Sequence, residues 1–233
     1  MAAICAASLV SCTQKELAVD TPAEQSGAKL IPITITADLE GTKADMAGES
    51  GAAWTWKSGD KLAVYDGTSK QEFTLDESSA GTSVAKFTGS VTEGFTSLQA
   101  VFPYAKAGDS FETPLIPAEQ SIADGTVDAN AMIAVASEGE KVSDSEYNFY
   151  FTSGVSFLRF TPPAGATKVI LHTAAKGETL AGDSPSVTVD LGTAADGTRR
   201  FWAAVNPAKF SGIHVFTLKS DGKYYRDRKS TRL

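Results

Sequence analysis

The sequence is poor in the residues that carry most enzyme chemistry. Of 233 residues, two are Cys and two are His. His172 and His214 each occupy an alternating position in a strand-like run. Neither has a spaced His, Cys or carboxylate partner that makes a metal motif, so both read as strand-surface residues. There is no Gly-x-Ser-x-Gly elbow and no phosphate loop. The expectation is a non-enzyme with no catalytic residue, no metal and no cofactor. Arginine is missing until Arg159, and basic residues number 21 against 28 acidic ones, a net charge of −7. A chain without a basic stripe cannot neutralise a phosphate backbone, which argues against nucleic acid as partner. After residue 12 no apolar run is long enough for a membrane helix. No stretch keeps a helical 3.6-residue stripe for three turns.

What is present starts at the N-terminus. Residues 2–10 are apolar and small, the length of a signal-peptide core and too short to span a bilayer. They end in Leu9-Val10-Ser11-Cys12, two apolar residues and a small one before cysteine, which reads as a lipobox. Residues 1–12 are therefore expected to be a lipoprotein signal, with Cys12 the lipidated residue held in the outer membrane. No Lys or Arg precedes Lys15, so basic residues are expected upstream of Met1. Cys5 would leave with the signal, and the lipidated Cys12 could form no disulfide, so the core alone must hold the fold. Each buried CH₂ of an acyl chain contributes about 0.8 kcal/mol, which makes a multiply acylated cysteine a durable anchor.

Residues 13–29 are polar without periodicity and read as a flexible tether. Beyond them, short runs alternate apolar and polar residues between turn signals such as Gly59-Asp60 and Asp66-Gly67. Ile31, Ile33 and Ile35 share one face, and Pro32, which has no N–H, favours an edge position for that strand. About a dozen such strands at roughly 8–12-residue spacing predict an all-β sandwich protein. The expected division is a sandwich over 30–140 and a second over 141–225, with the boundary in the loop 138–146. The hairpin at Asp221-Gly222 is only half made, and residues 226–233 lack a strand pattern. They read as a non-native tail that leaves the second sandwich incomplete.

Two further features have competing readings. Trp54 and Trp56 share a face, which is the mark of core residues; exposed, the pair could stack on a glycan. Residues 124–130 place oxygen ligands at alternating spacing but lack a closing bidentate Glu, so they read as an acidic loop and not as a calcium site.

Several segments in order resemble a known family. They are Trp56-Lys57-Ser58-Gly59-Asp60-Lys61-Leu62-Ala63-Val64-Tyr65, Ala85-Lys86-Phe87-Thr88-Gly89, Val101-Phe102-Pro103-Tyr104 and Leu115-Ile116-Pro117-Ala118-Glu119-Gln120, then Leu180-Ala181-Gly182 and Phe201-Trp202-Ala203-Ala204-Val205-Asn206-Pro207. Together they resemble the fimbrillin-like (Mfa-like) surface lipoproteins of Gram-negative gut and oral bacteria. The resemblance implies two tandem transthyretin-like β-sandwiches, the second incomplete. It also implies a pilus subunit or an anchored pilus-associated protein, with other pilin-like subunits and host or bacterial surface ligands as partners. In such pilins a protease removes the lipid and first strand, and a neighbour's strand fills the groove by β-strand addition. Here Ile31, Ile33 and Ile35 would belong to the exchanged strand. The family's cut follows arginine, whereas this chain offers Lys43 as its processing residue, so a permanent anchor is the other outcome. A second functional reading is a lipid-anchored surface module that binds glycan or a host ligand without polymerising.

Overall fold

The computed structural model describes residues 29–39, 55–112, 115–122, 127–208 and 210–226. These residues form sixteen strands and three single 3-10 turns, and the chain is all-β. In order the strands are β1 Leu30–Asp38, β2 Lys61–Tyr65, β3 Lys70–Leu75, β4 Val84–Thr92, β5 Gln99–Phe102, β6 Glu119–Ser121, β7 Ala134–Ala136 and β8 Gly139–Lys141. Then come β9 Glu146–Tyr150, β10 Thr152–Ser153, β11 Ser156–Phe160, β12 Ala166–Thr173, β13 Ser186–Asp190, β14 Phe201–Val205, β15 Ile213–Lys219 and β16 Tyr224–Arg226.

Nine of them make one sheet, in the order β10-β7-β5-β2-β3-β4-β1-β9-β8. The sheet curls around a core built from its own inward residues. Ile33, Ile35 and Ala37 of β1 meet Leu62, Val64, Phe73, Phe87 and Phe149 there. The two sides of the sheet are joined in the chain itself: β9, next to the edge strand β8, runs through Phe151 directly into β10, the opposite edge strand. Strict alternation explains how one strand can supply this core while its other face meets something else. β2 is the clearest case. Leu62 and Val64 enter the first core, whereas Ala63 and Tyr65 enter a second one on the opposite face.

That second core is shared with two further sheets. One is five-stranded, β16-β15-β12-β13-β6, and the other pairs β11 with β14. Val169 and Leu171 of β12, Val187 and Val189 of β13, and Phe201, Ala203 and Val205 of β14 fill it. β-branched residues at alternate positions suit these pleated, half-buried strands.

Sheet membership does not change in the loop 138–146. That segment contains β8, which pairs antiparallel with β9, Gly139↔Phe149 to Lys141↔Tyr147. The change comes after Ser153, and β6, from the first half of the chain, lies parallel to β13. The expectation for Pro32 needs correction. β1 is an interior strand, antiparallel to β4 along its whole length and parallel to β9 from Thr34 to Asp38. The proline is tolerated for a geometric reason. The Thr34 N–H points to the β9 side, where it donates to Ser145 O at 2.8 Å. Backbone groups alternate in direction, so the Pro32 nitrogen points the same way, beyond the residues that β9 pairs. No ladder bond is lost there.

Candidate strand-exchange site

β1 is the natural focus, because the sequence marks it and the sheet surrounds it. Ile33 and Ile35 are buried, while Ile31 is half-buried at the rim of the first core. Across β4 the partners are Ile31↔Val91, Ile33↔Gly89, Ile35↔Phe87 and Ala37↔Ala85. Across β9, Ile35 faces Tyr147 and Ala37 faces Phe149. The slot is shaped by its neighbours. An added Cβ at Gly89 would stand 2.6 Å from the Phe73 ring, so that ring lies where a side chain beside Ile33 would otherwise be. Gly139 has the same relation to Phe149, again at 2.6 Å.

Both ends of β1 are tied. At its start, Leu30 pairs with Thr92, and the Thr92 N–H donates to Asp66 Oδ2 at 2.8 Å. Asp66 Oδ1 also accepts from the Thr68 and Ser69 N–H groups, which closes the turn between β2 and β3. Burial pushes the Asp66 carboxyl up, but the Thr92, Ser69 and Thr68 donors outweigh it and hold the group down at about 2. At its far end, Leu39 N donates to Ser83 O, and Phe151 N donates to Asp38 O. Trp56 N donates to Thr82 O, so the connection from β1 leaves and returns at adjacent residues, Ser83 and Thr82.

Trp56 itself settles one sequence alternative. Its ring is fully buried against Phe87, Phe102 and Phe151, with centroids 4.8, 4.9 and 5.7 Å away. A wholly buried indole cannot stack on a glycan, so the glycan-contact reading is corrected at Trp56. Trp54, Lys43 and Cys12 lie outside the described residues.

The other candidates have structural roles. Asp128 accepts from the Ser121 and Asn130 N–H groups, which uses its carboxylate to fold its own loop. His172 and His214 face each other directly across β12 and β15, a pairing that spacing did not reveal. His172 Nδ1 donates to Thr173 O at 2.6 Å. Among the described residues no three His, Cys, Asp or Glu gather as a metal site, and no helix is long and apolar enough to cross a membrane.

Sequence comparison adds nothing at this point: no family model matches the chain. Nor does any curated protein match it. Three solved structures, all from Bacteroides ovatus, match it at low identity. One is named for cell adhesion, at 16% identity and TM-score 0.47, covering 85% of this chain and 86% of that one. Another is named a fimbrial protein, at 14% identity and TM-score 0.38; the match covers 84% of this chain but 44% of that one. The third is named as an adhesin, at 13% identity and TM-score 0.42, covering 94% of this chain and 87% of that one.

Proposed function

We propose that this chain is a structural, adhesive lipoprotein of the bacterial outer surface. In this reading it is held through Cys12, and it is assembled into a fimbrium, or docked to one, by β-strand addition. The fold is read as tandem β-sandwiches. The observation that carries the reading is the setting of β1. It is an N-terminal strand bonded on both sides within one sheet, and Ile33, Ile35 and Ala37 plug a core. Leu39 and Trp56, on either side of residues 40–54, bond to the adjacent residues Ser83 and Thr82, and a cut within residues 40–54 is the one expected to release the strand. Loss of β1 would uncover a slot lined by Phe87, Tyr147 and Phe149, with backbone donors and acceptors on both walls. An extended segment from another subunit would satisfy both the main-chain bonds and the alternating pockets.

The test is expression of the full gene on cells, with and without protease exposure. Heat-stable ladders that depend on the protease are expected, and Lys43→Ala is expected to suppress them. Monomer alone after cleavage would overturn polymerisation.

A further inference from the structure

The slot occupied by β1 is not uniform along its length. Its inward positions run large, large, small, large: Ile33, Ile35, Ala37 and Leu39, all buried. Ala37 is the constricted point. In the row across the sheet it lies between Phe149 of β9 and Ala85 of β4, and Phe149 in turn covers Gly139. Each of these residues is at most 2% exposed save the glycine, so the alanine methyl is enclosed in the core, where interiors are close-packed.

The same residue is marked on its backbone. Trp56 Nε1 donates to Ala37 O at 3.2 Å and shares its hydrogen with Ser83 O at 3.1 Å. The indole thus bridges the end of β1 and the entry to β4. Three phenylalanine rings hold it edge-on, so it cannot follow a strand that slides.

We propose that Trp56 and the Ala37 pocket set the register of whichever strand fills this slot. The inference rests on the strand-addition reading and adds which partner fits. The slot selects a segment of a neighbouring subunit that carries two branched aliphatic residues, then a small residue, then a leucine-sized one at alternate positions. A two-residue slip in one direction would force Ile35 into the small pocket and leave a cavity where Leu39 sits; in the other, Leu39 would enter the small pocket and Ala37 would leave a cavity where Ile35 sits. Overfilling and cavity formation each disfavour the slipped complex. A one-residue slip would turn the whole apolar set outward.

The test uses the full chain with a protease site placed within residues 40–54. After cleavage it is incubated with excess labelled peptide of the sequence of residues 29–39, and uptake is followed by intact mass spectrometry. The native peptide is expected to enter. A peptide carrying Ala37→Leu, and one with residues 35 and 37 interchanged, are expected to enter at least about fivefold less well, as overpacking of 1–3 kcal/mol implies. Trp56→Phe, which keeps a ring but loses the donor, should narrow that difference. Equal uptake of native and altered peptides by the unmutated chain would overturn the register claim and leave strand addition standing. No uptake of any peptide would overturn strand addition, and the register claim with it.

Discussion

The side-chain amide of Gln120 pairs with the backbone of Ala204 as a neighbouring strand would. Gln120 Nε2 donates to Ala204 O at 2.7 Å, and Ala204 N donates to Gln120 Oε1 at 3.0 Å. Gln120 lies on β6 and Ala204 on β14, so one side chain links the five-stranded sheet to the two-stranded one. Both residues are buried.

Removing that amide should therefore be costly. Gln120→Ala would orphan a buried N–H and a buried C=O, each worth about 1–3 kcal/mol. A loss of at least about 2 kcal/mol is expected in urea unfolding. Gln120→Glu should not rescue it, because a carboxylate cannot donate to Ala204 O or to Pro117 O, the second acceptor of Nε2. Unchanged unfolding midpoints in both variants would refute the role assigned to this pair.

Asp66 gives the chain an acid-sensitive tie. Its folded pKa of about 2 lies below the ordinary value of 3.8. The group thus contributes stability above pH ~4, and that contribution is lost as pH falls toward ~2, about 2 kcal/mol in all. Asp66→Asn should flatten the acid limb of a stability-against-pH curve in that window. A parallel curve for the variant would count against it.

Gly89 should resist substitution. A Cβ there meets the Phe73 ring at 2.6 Å, at its inner carbons, and Phe73 is fully buried. Gly89→Ala is expected to lower stability by about 1–3 kcal/mol through overpacking. The variant Gly94→Ala is a poor control, because Gly94 has φ 83° and is strained for a different reason. Gly89→Ala paired with Phe73→Leu is the better comparison, and it should recover part of the loss.

Anchoring is tested at the other end of the chain. Cys12→Ser is expected to move the protein from the membrane fraction to the soluble fraction. Persistence of the variant in membranes would remove the lipid anchor from the proposal.

Some of this was legible in the residue order. Alternation at Ile31, Ile33 and Ile35 gave the face of β1, and Asp66-Gly67 gave the turn between β2 and β3, with Gly67 at φ 83°. The shared face of Trp54 and Trp56 left core and platform open, and burial of Trp56 decided for core. Pro32 misled, because a missing N–H disqualifies a residue only where a partner strand needs that donor. Whether β9 extends that far is not written near Pro32.

The all-β class and the acidic charge were already set by residue order and composition, because the period of a strand and the charge count are local properties. That β1 lies between β4 and β9, that Gln120 reaches Ala204 and that His172 faces His214 became visible in the folded chain alone. A period of two tells a strand which way its side chains point but not which strand lies beside it. That choice is made by long-range packing: Ala37 lies beside Phe149, whose ring occupies the space a side chain at Gly139 would take, and the buried Trp56 indole bonds the Ala37 carbonyl.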